Sequence, residues 1–351
     1  MKRVEVKPEL LRWALERSFK SPSMLENKFP KLDAWLTGKL SPTFKQLETF
    51  AKATSTPIGF FFLPEPPVEK MPISDFRTLT DTSVRRPSAD LLDTIYTMQR
   101  RQDWLREELI DCEAEALDFV GSARLHDDPV AIGQEMRRLV GLGDGWAGHV
   151  RTWREAVTDL RNRIDELGVV AVINGVVGNN THRKLDVEEF RGFALIDRHA
   201  PLIFVNGADA KSAQMFTLAH ELAHVWLGPE GQGLSGFKSI FPGGDRVEDF
   251  CNQAAAEFLV PGHDLKDQWR SLKTPSEPLD ESEPFEKMAR YFKVSPIVIG
   301  RRAMDLRLVT REKFFAFYEA YTQRERQRAK RTKGGGDFYN NQNTRVGARF
   351  A

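Results

Sequence analysis

His220 and His224 stand four residues apart with Glu221 directly after the first of them, in the run His220-Glu221-Leu222-Ala223-His224. On an α-helix that spacing stacks both imidazoles on one face, one turn apart, where both can ligate a single metal ion. The glutamate lies beside them, placed to take a proton from a water that the ion activates. The chemistry implied is metal-assisted hydrolysis, with zinc as the metal. The pattern is half of such a site, because a catalytic zinc needs a third protein ligand and one position left open for water.

No third histidine follows closely: the chain reads Val225-Trp226-Leu227-Gly228, and His263 lies beyond the helix-breaking Pro261-Gly262. A carboxylate is the better candidate. The stretch from Val247 to Phe258 offers Glu248, Asp249 and Glu257. At helical spacing Glu248 shares a face with Asn252, Ala255 and Leu259, Glu257 points to the opposite side, and Asp249 is turned by about 100°. The small residues on the Glu248 face allow close approach to another helix. Glu248 is therefore the preferred third ligand and Asp249 the next. His263 and Tyr291 are conceivable donors to a developing oxyanion, but spacing supports neither, and surface or packing roles are expected for both. Cys251 reads as a small buried residue.

These residues need a helix with something to pack on. Phe216, Ala219, Leu222, Ala223 and Trp226 supply the apolar positions of a helix carrying the motif, and Gly228-Pro229 ends it. Upstream, the runs 169–173, 192–196 and 202–205 are short, apolar and β-rich, separated by Asn174-Gly175 and Asp197-Arg198. A glycine-rich loop from Gly228 to Gly244, long enough to cover a site, leads to the second helix, from about 246 to 259. The fold class expected is α+β, with a small sheet packed on the motif helix and the ligand helix. Helical segments flank it. The organisation read from punctuation and periodicity is a helical domain at 1–63, a linker at 64–86 opened by Pro64-Glu65-Pro66-Pro67, and a helical connection at 87–165. The metal-binding domain follows at 166–265, then a C-terminal helical domain at 275–331 and a polar, flexible tail at 332–351.

Composition bounds the partners. The 351 residues suffice for two or three domains, and 41% hydrophobic with 29% charged residues is the content of an ordinary soluble protein. With 51 basic and 50 acidic side chains the chain has no strong overall field for nucleic acid, so any such contact must come from a local patch. Two cysteines far apart, Cys112 and Cys251, argue for a reducing compartment and against a disulfide scaffold. No apolar core of signal-peptide length follows Met1 and no segment is apolar enough to span a bilayer. A cytoplasmic location without a membrane partner is expected.

The run Phe216-Thr217-Leu218-Ala219-His220-Glu221-Leu222-Ala223-His224, followed by Glu248-x-x-x-Asn252-x-x-Ala255-Ala256-x-x-Leu259-x-Pro261, resembles the ImmA/IrrE family of metallopeptidases. Phe190-Arg191-Gly192-Phe193 and Pro201-Leu202-Ile203-Phe204-Val205-Asn206 resemble it too. The likeness implies a zincin-like domain with Zn2+ held by His220, His224 and Glu248, and Glu221 as general base. It also implies an endopeptidase whose substrate is a specific regulatory protein, such as a repressor or toxin–antitoxin partner, in a stress or mobile-element response. Residues 1–63 resemble a Cro/repressor-type helix-turn-helix domain through Lys31-Leu32-Asp33-Ala34-Trp35-Leu36-Thr37-Gly38 and Ser41-Pro42-Thr43, with Leu36 where that family has glutamate. The stretch around Phe29-Pro30-Lys31 is poor in side chains that read base edges, so DNA binding and docking of a protein partner stand as two readings of this domain. Proteins pairing the two domains resemble antitoxins, which gives an alternative function: a DNA- or protein-binding regulator whose metal domain serves binding. A second helix-turn-helix pattern, Phe285 to Pro296 and Ile299 to Ala303, is expected to buttress the metal domain. The basic stretch Gln323 to Arg331 reads as a solvated helix end, with phosphate contact the sharper alternative.

Overall fold

The computed structural model describes residues 3–69, 87–231, 246–272 and 282–329. Most of the expected linker, the glycine-rich loop from 232 onward and the whole tail at 332–351 lie outside the described residues.

The N-terminal unit comprises α1 (Pro8–Arg17), α2 (Pro22–Leu25), α3 (Leu32–Leu36) and α4 (Phe44–Ala53), closed by a 3-10 turn at Ile58–Phe62. Proline at the first position starts α1, where its missing N–H costs nothing. A capping box starts α4: Gln46 N–H donates to Thr43 Oγ1 at 3.3 Å, and Thr43 N–H donates to Gln46 Oε1 at 2.9 Å. Leu10, Leu11, Ala14, Phe29, Leu32, Trp35, Leu47, Phe50 and Phe61 form a core of their own. Within it Phe29 meets Phe50 edge-on, ring centres 5.5 Å apart.

The rest of the chain runs α5 (Ala89–Asp111), α6 (Pro129–Leu139), α7 (Trp153–Leu167), β1 (Val170–Asn174), β2 (Val176–Val177), β3 (Asn180–Lys184), β4 (Gly192–Leu195), β5 (Leu202–Asn206), then α8 (Lys211–Leu227) and α9 (Arg246–Leu259). The helices α10 (Gly262–Ser271), α11 (Glu283–Phe292), α12 (Pro296–Asp305) and α13 (Arg311–Ala329) complete it. The architecture is α+β. β1, β5 and β4 form one three-stranded sheet in that order, β1 parallel and β4 antiparallel to β5, while β2 and β3 form a separate hairpin.

The strands read as unbroken apolar runs because both faces of the sheet are covered. Alternate side chains separate into two cores. Ala171, Ile173, Ala194, Ile203 and Val205 face α8. Val170, Val172, Phe193, Leu195, Leu202 and Phe204 face the apolar side of α5, which contributes Leu91, Ile95, Met98 and Leu105. Phe193 and Phe204, paired across β4 and β5, stack with centres 5.0 Å apart. The core around α8 is wider than 166–265: it takes in Met136 and Val140 of α6, Leu160 and Ile164 of α7, and Phe285, Phe292, Ile299 and Phe317 from the last three helices. No described helix is long and apolar enough to cross a membrane.

Candidate metal centre

The helix that carries the motif is apolar all round, as a central helix must be. Every residue of α8 from Gln214 to Leu227 is buried. Its carboxyl end is closed by Gly228, which has a φ of +64° and packs so tightly on Gly121 that a Cβ would lie 2.5 Å from the Gly121 Cα. The same strand of chain satisfies two end carbonyls that the helix leaves open: Gly121 N–H donates to Val225 O and Ala123 N–H to Trp226 O, both at 3.0 Å. The end of the helix is thereby tied to the segment that precedes α6.

Its two histidines converge as their spacing predicts. His220 Nε2 and His224 Nε2 are 3.0 Å apart, and both rings are 1% exposed. From α9, which packs alongside α8, Glu248 brings Oε2 to 3.3 Å from His220 Nε2 and Oε1 to 3.7 Å from His224 Nε2. Ligands held about 2.0–2.1 Å from a tetrahedral zinc would be separated by about 3.3–3.4 Å, close to these spacings, so the two imidazoles and the carboxylate fit one ion. The donor set fits zinc as well: two imidazoles and a carboxylate, the last 23% exposed and open to water. Among the described residues His220, His224 and Glu248 are the group whose ligand atoms converge, within 4.8 Å of one another. Asp249 is not in it.

The local field favours positive charge. Burial alone would push the His220 pKa down, but the Glu248 carboxylate, with Glu221 behind it, outweighs burial and holds it above the ordinary histidine value.

Glu221, fully buried, lies against the edge of the sheet. A Cβ at Gly192 would sit 2.8 Å from Glu221 Oε1, 2.6 Å from Thr217 Cγ2 and 2.9 Å from Phe204 O. The absence of a side chain at the start of β4 is what makes room for the carboxylate. Asn206 N–H donates to Arg191 O, so that pair is hydrogen-bonded and the next is not. Gly192 and Ala194 therefore direct their N–H and C=O groups away from β5, along the sheet edge next to Glu221. The signal for Gly192 was a lone glycine inside an apolar strand, which marks close approach of another group.

The other candidates have partners elsewhere. His263 Nε2 is 3.1 Å from Asp144 Oδ1 on the surface. The Tyr291 hydroxyl accepts from Gln268 Nε2 at 3.2 Å, and its ring lies against Gly145 and Gly148. Both brace the segment before α7 against α10 and α11. Cys251 is a free, buried thiol and Cys112 an exposed one. Glu257, on the far side of α9 from Glu248, pairs with Arg302.

Residues 165–304 match the family model of the IrrE N-terminal-like domain, Peptidase_M78. The matched segment runs from the end of α7 into α12 and holds the sheet, the motif helix and the Glu248 helix. Its mixed architecture, a small sheet among many helices, fits a zincin-like domain of that family, which is a family of metallopeptidases. No curated protein matches the chain.

Proposed function

We propose that the chain is a zinc-dependent endopeptidase that cuts a specific regulatory protein, repressor-like or toxin-like, in the cytoplasm. The observation that carries this reading is the convergence of His220, His224 and Glu248 with Glu221 at the sheet edge beside them. The first three would hold Zn2+. Bound there, zinc supplies Lewis acidity, which brings the pKa of water towards neutrality and polarises the scissile carbonyl.

The chain's own groups do the rest. Glu221 accepts a proton from the attacking water on its carboxylate and delivers it to the leaving amine. The outward N–H and C=O groups of Gly192 and Ala194 pair with an extended peptide, so that main-chain hydrogen bonds place the scissile bond beside Glu221. Such a site reads backbone first, and selects its substrate through side-chain contacts and docking away from the centre.

A second reading makes the N-terminal unit the regulatory part, with DNA or a protein as its partner. Its separate core favours an independent role. Its α3 has only five residues, with Lys31 before it and Asp33, Ala34, Trp35 and Leu36 along it. That is short for a helix lying in a major groove and poor in base-reading side chains, which favours a protein partner.

Zinc-loaded protein, incubated with a proteome-derived peptide library and read by mass spectrometry, tests the peptidase. New termini are expected with the wild type. Glu221→Gln should keep stoichiometric zinc and lose at least about 10²-fold in rate, whereas His220→Ala should lose the zinc. Cleavage that persists undiminished in Glu221→Gln would overturn the enzyme reading and favour the regulator.

A further inference from the structure

We propose that Asn252 is a positioning residue of the metal centre: its side-chain oxygen accepts the Nδ1 proton of His220 and so turns the Nε2 lone pair of that ring towards His224 and Glu248. The proposal rests on the zinc reading and extends it to a residue that holds no metal itself.

A neutral imidazole carries one proton, and a ring that offers Nε2 to a cation carries it on Nδ1. In His220, Nε2 is the atom that meets both His224 Nε2 and Glu248 Oε2. The ring is 1% exposed, so bulk water cannot take the Nδ1 proton, and a buried N–H without an acceptor is costly. An acceptor from the protein is required.

Asn252 is placed to be that acceptor. It lies one turn beyond Glu248 on the same face of α9, which packs against α8. Its Oδ1 and the His220 Nδ1 are both buried, α9 packs on α8, and Glu248, one turn earlier on the same face, already reaches that ring at 3.3 Å. One turn of helix thus supplies a metal ligand and the next supplies the group that aims another ligand. The amide also suits the surroundings. Glu221 and Glu248 already bear their charges on His220. An amide oxygen fixes the ring without adding charge.

The test is zinc affinity of the full chain by chelator competition. Asn252→Leu, of similar size but with no acceptor, should weaken zinc binding about 10–100-fold, the usual cost of losing the partner of a ligating histidine. Asn252→Asp, which restores an acceptor, should stay within a few-fold of wild type. If leucine crowds the contact between α8 and α9, Asn252→Ala reads the same loss. In spectra of 15N-histidine-labelled, zinc-loaded protein, the His220 Nδ1 proton should be protected from exchange in wild type and lost in the leucine variant. Zinc binding by Asn252→Leu as tight as wild type overturns the positioning role alone. Equal weakening in the aspartate and leucine variants also overturns it, because packing rather than an acceptor would then be at work. A wild-type chain that takes up no zinc overturns the metal reading and this proposal with it.

Discussion

At the scale of single residues, the centre depends on a side chain that is missing as much as on those present. The atoms around the vacant Cβ position of Gly192 differ in freedom. Phe204 O belongs to a strand fixed on both sides, and Thr217 is held by its hydroxyl, which donates to Ala213 O at 3.1 Å. The Glu221 carboxylate, at the end of a flexible stem, is what must give way. Gly192→Ala is expected to shift it by about 1 Å and lower peptide hydrolysis about 10²-fold, with zinc content unchanged because no ligand is touched. Overpacking should cost about 1–3 kcal/mol of stability, read as a lower melting temperature. Full activity in this variant would show that Glu221 does not need its observed position. A lone glycine in an apolar strand was legible in advance, but not which group approaches it. His220, Glu221 and His224 announce themselves because i, i+4 spacing is local to one helix, and Glu248 could be chosen from the faces of a second helix. The debt of Glu221 to Gly192 arises only when a helix crosses a strand 29 positions earlier in the chain, which no local pattern records.

At the scale of elements, α9 works with two opposed faces. One presents Glu248 and Asn252 to α8. The other presents Glu257, which is buried, accepts from Gln134 Nε2 at 3.1 Å and Gly262 N–H at 3.2 Å, and pairs with the buried Arg302 of α12. Arg302 Nε also donates to Val260 O at 3.2 Å. Glu248 is therefore braced from behind by the C-terminal helices, and the family match, which extends into α12, includes this brace. Removing one partner of a buried pair strands the other charge, so Arg302→Met should destabilise the domain by about 3–5 kcal/mol. Glu257→Gln added to Arg302→Met should recover part of that loss, whereas an undiminished loss would mean that packing, not charge, is at stake. Denaturant titration separates the two. The strands at 170–174, 192–195 and 202–206 were visible as apolar runs, but their order was not: β1 pairs with β5 across all the intervening chain. The β2–β3 hairpin escaped altogether. β2 is two residues long, and Asn180 to Lys184 is polar and largely exposed, so no alternation marks it.

At the scale of the whole molecule, the N-terminal unit is docked on the remainder by a chain of alternating charge. Arg17, at the end of α1, has a side chain only 3% exposed. Its guanidinium reaches Glu69 at 2.9 Å, Ser55 O at 2.7 Å and, from Nη2, Asp93 Oδ1 of α5 at 3.0 Å. The other oxygen of Asp93 accepts from Arg183 of β3 at 2.7 Å, and Arg183 also holds Asp90 at 2.6 Å. Composition could not reveal this, since 51 basic and 50 acidic side chains only say that charges cancel; which of them meet is set by the fold. Asp93 is shared between a helix of the N-terminal unit and the hairpin. The hairpin in turn grows from the carboxyl end of β1, the end of the sheet at which Gly192 meets Glu221. In Asp93→Ala each arginine keeps one carboxylate, Glu69 or Asp90, so neither charge is stranded and the loss is that of hydrogen bonds to charged groups, about 1.5–3 kcal/mol. Hydrogen exchange is the suitable measurement, because it reports each element separately. Protection of α1 and of Asn180–Lys184 is expected to fall together while α8 stays protected. Lys52→Ala, which breaks an exposed pair with Glu48, should change neither, as such pairs contribute about 0–1 kcal/mol. If α1 loosens and the hairpin does not, Arg183 is held by Asp90 alone and the chain of charge ends at α5.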